Sequence, residues 1–310
     1  MVLAADADRD DDAARSALTW YEIGAVLSLD RLRAGHPAVR KVTTSAGTYL
    51  LKPAWRRADI ALLAELPALR SHGVRQPAVI RTRSGELVCP CGYFLQEFLA
   101  GEPELEPSGA QVRAVMRAVG GLHVALSTLA AGYEPDGDSV FVQVTDPDFL
   151  LTELPGLLRH FGLATGPTGA ALGCLAEHRA AIGALPRQLV HGDIGPDNVL
   201  LDGERVVAII DFAPQVLPVL FAVSSALYWY HVYGQHALSV AGLAASREAV
   251  AEARPWSAAE NELWVAGLAW EGLRRLATAL ELARRRCADP GPAAQARLAA
   301  LEAMTALLPG

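Results

Sequence analysis

The chain has 310 residues, 52% of them apolar and 20% charged, which is too apolar for a disordered polymer and long enough for one large domain or two lobes. With 27 Lys and Arg against 34 Asp and Glu, the net charge of −7 argues against a general nucleic-acid binder, which needs a positive face. Mean hydropathy is positive, so a membrane segment has to be tested for.

At the N-terminus, Asp6, Asp8, Asp10, Asp11 and Asp12 stand where a signal peptide would need a basic region and an apolar run. The expectation is a flexible acidic tail over residues 1–15. Residues 39–44 and 48–52 read as two strands joined at Ser45-Ala46-Gly47. A helical pattern follows over 57–71, interrupted by Pro67. Residues 79–82, 87–88 and 93–99 read as strands. The last ends at Ala100-Gly101-Glu102-Pro103, turn-forming residues that place a lobe boundary there. A nucleotide-binding lobe over 16–100 and a helical lobe over 101–310 are expected. Cys89, Cys91, Cys174 and Cys287 lack zinc-site spacing and read as reduced thiols of a cytoplasmic protein.

Ser108 can cap a helix running to about residue 129, with Val112, Val115, Met116, Val119, Leu122, His123 and Leu126 as its apolar stripe. A further helix is expected over 172–185, and almost continuous helix after Asp211. Residues 216–233 carry no Asp, Glu, Lys or Arg and are about as long as a membrane span. Pro218, His231 and three tyrosines within them favour a buried helix instead.

The stretch that carries chemistry is His191-Gly192-Asp193-Ile194-Gly195-Pro196-Asp197-Asn198, then Val199–Leu201, Asp202-Gly203, Val206–Ile210 and Asp211-Phe212. Two short apolar strands around Asp-Gly predict a hairpin. Its outer ends bring Asn198 beside Asp211, and the preceding loop brings Asp193 close. Such hard oxygens suit Mg²⁺, which takes few protein ligands alongside phosphate and water. A third carboxylate can position a nucleophilic hydroxyl, as phosphoryl transfer requires.

This pattern, His-Gly-Asp-x4-Asn followed by Ile-Asp-Phe, resembles the catalytic and metal loops of the aminoglycoside phosphotransferase family. That family groups with choline kinases and homoserine-kinase-like enzymes. The resemblance implies an α+β, two-lobed, protein-kinase-like fold with a small β-rich N-terminal lobe and a larger helical one. It implies that Asp193 is the catalytic carboxylate, that Asn198 and Asp211 hold Mg²⁺, and that His191 shapes the loop. It further implies that Lys52, one of only two lysines, contacts nucleotide phosphates and that Glu65 pairs with it. The backbones of Glu97 and Leu99 would bind a purine.

The pattern departs from the family in several places. No Walker-type or Gly-x-Gly-x-x-Gly motif occurs, so the phosphate-covering loop falls at Ala34–Ala38. Ala213-Pro214 stands where many members carry Gly after Asp-Phe. Residues 219–224 lack the Asp that braces the catalytic loop, which leaves Ser224 or Ser225 as a hydrogen-bonding substitute. His123 matches a family element in part and reads as a core histidine.

From Ala213 onward, eight acids balance eight arginines, and most read as solvated helix faces. The aromatics Tyr228, Trp229, Tyr230, Tyr233, Trp256, Trp264 and Trp270 read as helix packing, with a stacking wall for a flat acceptor as the alternative. The resemblance therefore implies Mg²⁺-dependent transfer of the γ-phosphate of ATP or GTP to a hydroxyl of a small molecule less cationic than an aminoglycoside. The leading expectation is an antibiotic, nucleoside- or sugar-containing or an aminoglycoside, phosphorylated by a resistance enzyme; the alternatives are a metabolite kinase of the homoserine, choline or sugar type and a nucleotide-binding module without turnover. Neither nucleic acid nor membrane is an expected partner, and the oligomeric state stays open.

Overall fold

A computed structural model describes residues 11–32, 38–72, 75–129, 132–164, 166–233, 239–304 and 307. The chain divides into two compact units, Met1–Gly101 and Glu102–Gly310.

The first unit is built on a five-stranded antiparallel sheet. Its strands are β1 (Val26–Arg31), β2 (Arg40–Thr44), β3 (Thr48–Pro53), β4 (Val79–Ile80) and β5 (Tyr93–Glu97), in the spatial order β1-β2-β3-β5-β4. Alternation along β2 buries Arg40, Val42 and Thr44. The Thr44 hydroxyl accepts the Ala46 and Gly47 N–H groups and closes the β2–β3 hairpin. Of the acidic tail expected over 1–15, residues 1–10 lie outside the described residues, and 11–18 form a helix, α1. Asp11 on α1 lies 2.9 Å from the guanidinium of the buried Arg40, a charge that burial obliges to find a partner. Helix α2 (Arg57–Glu65) stops short of residue 71, because the chain tightens at Pro67 into a 3-10 turn over Leu66–His72. The expected strand at 87–88 is irregular, and 79–82 shortens to β4.

The second unit contains β6 (Glu102–Pro103), α3 (Gly109–Leu126), α4 (Val140–Gln143), α5 (Pro147–His160) and α6 (Gly166–Gly183). It continues with β7 (Arg187–His191), β8 (Val199–Asp202), β9 (Arg205–Ile209) and β10 (Pro214–Pro218), and ends with α7 (Val219–His231), α8 (Val240–Ala253), α9 (Ala258–Arg285) and α10 (Gly291–Met304). Ser108 and Gln111 form a reciprocal capping box at the start of α3. The uncharged run at 216–233 is strand and then helix. Residues 214–218 pair with β7, and α7 begins after Pro218, with every residue from Val219 to Tyr228 buried. Among the described residues no helix is long and apolar enough to cross a membrane.

The 28-residue helix α9, about 42 Å long, packs against α5, α6, α7 and α10. At Gly267 an added Cβ would lie 2.6 Å from the Ser224 hydroxyl, so glycine permits the close approach of α7 and α9. Solvated charge describes only part of this helix, at Glu262, Arg284 and Arg285. Glu260, Glu271, Arg274, Arg275 and Glu281 are all buried, because each carboxylate meets a guanidinium across one helical turn or at a helix cap.

Candidate active site

Two strand pairs frame the site. In one, β7 runs antiparallel to β10 with His191 opposite Pro214. In the other, β8 runs antiparallel to β9 with Val199 opposite Ile209. Residues 192–198 lead from the first pair to the second, and residues 210–213 lead back. Backbone hydrogen bonds stitch these two connections together, from Gly192 N–H to Ala213 O at 2.8 Å and from Ile210 N–H to Asn198 O at 2.8 Å. Gly192 is required by space, since a Cβ there would stand 2.6 Å from Gln215 Cγ and 3.1 Å from Ala213 O. Pro196 opens a single 3-10 turn that delivers Asn198 to the start of β8.

His191 is fully buried. Its Nε2 lies 3.0 Å from Ile210 O, and its Nδ1 accepts the Asp193 N–H at 3.1 Å. One nitrogen must donate and the other accept, which fits the neutral imidazole with its proton on Nε2. Burial pushes the imidazole below its ordinary value and favours that form, against smaller opposing effects from the Ile210 carbonyl, Asp193 and Asp211.

The Asp193 side chain is 45% exposed, and its Oδ1 lies 2.7 Å from Arg275 Nη2. Burial acts to raise this carboxyl, but the Arg275 charge and hydrogen bond outweigh it, and the net displacement is downward. Asn198 donates its amide N–H to the Asp193 carbonyl at 2.9 Å, which leaves the amide oxygen as its ligand atom. Asp211 is exposed and has φ +52°, the left-handed region that Asp tolerates better than most side chains. Such a conformation held at a loop tip is a common mark of a functional position.

Among the described residues no group of three or more His, Cys, Asp or Glu gathers for a metal. The pair formed by the Asn198 amide oxygen and the Asp211 carboxylate is a hard, oxygen-only donor set. It fits a cation that completes its shell with phosphate and water, as Mg²⁺ does.

The structure thus gathers His191, Asp193, Asn198 and Asp211 on adjoining strand ends. The remaining expected residues lie in the first unit. Lys52 is half-buried on β3, opposite Phe94 of β5. Glu65 is exposed on the last residue of α2. The Glu97 carboxylate binds Arg75 at 2.5 Å, and its own N–H donates to Ala78 O. Leu99 is buried just beyond β5. Residues 34–37 of the expected phosphate-covering loop lie outside the described residues. His123 is a buried core histidine whose Nδ1 bonds Val119 O at 2.8 Å on its own helix.

Sequence reasoning did not single out Arg275, Glu271 or the position of Trp229. Arg275 reaches Asp193 from α9, and Ser225, one of the two expected substitutes, touches Arg275 rather than the loop. The available signal was Glu271-x-x-Arg274-Arg275 on an otherwise apolar stretch of helix, an ion-paired cluster that invites burial. A Cβ added at Gly195 of the loop would lie 3.4 Å from the Trp229 ring, so part of the aromatic group does face the site.

An α+β chain with Asp, Asn and a second Asp on these adjoining strand ends has the architecture of a protein-kinase-like phosphotransferase. Residues 31–256 match the model of the phosphotransferase enzyme family, and the chain belongs to that family. It is 30% identical over 210 residues to a homoserine kinase of Methylobacterium nodulans, a match covering 65% of this chain and 64% of that kinase. The chain therefore aligns with less than two thirds of that relative's length. Two solved structures share the fold. Amicoumacin kinase, solved with AMP-PNP, Ca²⁺ and amicoumacin, is 13% identical with a TM-score of 0.67, covering 94% of this chain and 92% of its own. An aminoglycoside phosphotransferase of Alicyclobacillus acidocaldarius is 18% identical with a TM-score of 0.62, covering 95% and 96%.

Proposed function

We propose that this chain is a Mg²⁺-dependent O-phosphotransferase that moves the γ-phosphate of ATP or GTP to a hydroxyl of a small molecule. The convergence of Asp193, Asn198 and Asp211 on the two loop connections carries this reading. Asp193 orients the acceptor hydroxyl and takes its proton as the new O–P bond forms and the bond to the nucleoside diphosphate breaks. Asn198 and Asp211 would hold Mg²⁺, which would supply positive charge to offset that of the phosphates. Lys52 adds a compact positive charge at the phosphates. The Glu97 carbonyl and the Leu99 N–H hold the purine, in keeping with a Glu97 N–H already committed to Ala78. His191 fixes the spacing of the Asp193 and Ile210 backbones.

Among acceptors, the metabolite reading is favoured over the antibiotic one, because the sequence likeness is to a homoserine kinase while the antibiotic kinases share only the fold. A panel of L-homoserine, choline, simple sugars, nucleosides and kanamycin-type aminoglycosides, assayed with Mg²⁺ and either ATP or GTP, tests this. Preferred turnover of a small neutral or zwitterionic alcohol is the expected result, and efficient turnover of kanamycin-type substrates would overturn it. No turnover of any acceptor, with nucleotide still bound, would favour a binding module.

A further inference from the structure

The cluster beneath Asp193 is built from one turn of α9. The fully buried Glu271 takes both forks of Arg274 (2.7 Å each) and the Nε of Arg275 (2.6 Å). The Nε bond turns the Arg275 plane so that its Nη2 reaches the Asp193 Oδ1 at 2.7 Å and the Ser225 hydroxyl at 3.0 Å. One face of the guanidinium lies 4.7 Å from the Trp229 ring, and Trp229 in turn packs on Gly195. Arg275 is therefore held by Glu271, Ser225 and Trp229 before it touches Asp193. The two arginines and two carboxylates sum to zero charge, so Glu271, Arg274 and Arg275 can be buried without an uncompensated ion.

We infer that Arg275 is a positioning residue for Asp193, pinning Oδ1 so that Oδ2 is presented to the acceptor hydroxyl. Arg275 touches neither reactant and acts through the carboxylate. The inference rests on the proposed role of Asp193. A lysine cannot replace this arrangement, because one ammonium cannot span Glu271 on one side and Asp193 with Ser225 on the other.

The same helix carries its own control. Glu281 accepts from Arg284 and Arg285 at the same i+3 and i+4 spacing, but Arg284 and Arg285 are about half exposed and away from the loop. The test compares Arg275→Met, Arg275→Lys, Ser225→Ala and Arg285→Met with Asp193→Asn as the benchmark. Readouts are kcat and KM for Mg²⁺-nucleotide consumption, with L-homoserine and with water alone as acceptor, together with the nucleotide Kd. Arg275→Met should lower kcat by about 10- to 100-fold, the scale set by misplacing a catalytic group, while nucleotide KM and Kd stay within about threefold. Arg275→Lys should fall between it and the parent, and Arg285→Met should match the parent. Equal kcat in Arg275→Met and Arg285→Met, or a loss of nucleotide affinity as large as the loss of kcat, would overturn the inference. Should Arg275→Met fail to fold, Arg275→Lys and Ser225→Ala decide. Reduced kcat at unchanged nucleotide Kd supports the inference, and parental kcat in both overturns it. If Asp193→Asn itself keeps parental turnover, the proposed function has failed. If it is inactive while Arg275→Met is not, only the positioning role has failed.

Discussion

The imidazole Nε2 of His191 lies 3.0 Å from the carbonyl oxygen of Ile210, the residue before Asp211. Through its other nitrogen the same ring holds the Asp193 N–H, so one buried side chain sets the distance between the two carboxylate-bearing loops. His191→Ala removes both bonds inside a sealed space. It should destabilise the protein by about 1–3 kcal/mol and lower turnover at least tenfold, read from urea midpoints and steady-state kinetics.

Asp193→Asn keeps the shape of the side chain and removes its charge. Turnover should fall by two orders of magnitude or more, while calorimetric titration with a non-hydrolysable nucleotide shows affinity within a fewfold of the parent. Near-parental turnover would reassign the reacting carboxylate.

Asp211 supplies both charge and an unusual backbone. Asp211→Asn should weaken Mg²⁺-dependent nucleotide binding without a large loss of stability, since Asn also tolerates positive φ. Asp211→Ala should weaken binding equally and lose about 1 kcal/mol or more of stability through strain. In the parent, EDTA should reduce nucleotide affinity strongly; in both variants it should change little.

Gly192→Ala should be more damaging than its size suggests, because the new methyl meets both Gln215 and the Ala213 carbonyl. Overpacking of about 1–3 kcal/mol is expected, together with a loss of turnover, whereas Gly195→Ala meets Trp229 only at ordinary contact distance and should keep its stability. Thermal melts of the two variants make the comparison.

Acid should destabilise the second unit through its buried histidines. Burial pushes His123 down to about 3, so it stays neutral in the folded chain while the unfolded chain takes up a proton near its ordinary value of 6.5. The unfolded state then binds more protons between those values, and stability falls as pH drops from about 6.5 toward 3, by an amount on the order of a few kcal/mol. Above pH 6.5 the effect vanishes. His191 is displaced in the same direction and adds to it. His123→Leu should flatten the pH dependence of the urea midpoint in that window, and an unchanged slope would rule out His123 as a contributor.

Much of this architecture was readable in advance where local chemistry was decisive. Ser108 announced the start of α3, and Asp202-Gly203 announced the β8–β9 hairpin, with Gly203 at φ +61°. The residues of the second unit's site were readable because strand pairing converts sequence spacing into proximity. Strand β10 was hidden because its apolar residues run into those of α7 without a change of pattern, and only its pairing with β7 separates them. The burial of Arg275 was hidden for a different reason. The pattern Glu-x-x-Arg-Arg occurs twice on α9, and it lies beneath the loop at Glu271 but carries half-exposed arginines at Glu281. Local spacing predicts the ion pairs and says nothing about which turn of the helix faces inward.

The framing of residues 192–198 between two strand pairs also limits how this site can change over time. Each end of the segment is tied to a fixed rung of a ladder, His191 to Pro214 and Val199 to Ile209. An inserted or deleted residue could not be taken up as slack. It would pull one ladder out of step and turn that strand's buried face outward. The loop therefore behaves as a part of set length, and variation around the site has to come from exchanging side chains next to it or from changes in the helices beyond β10.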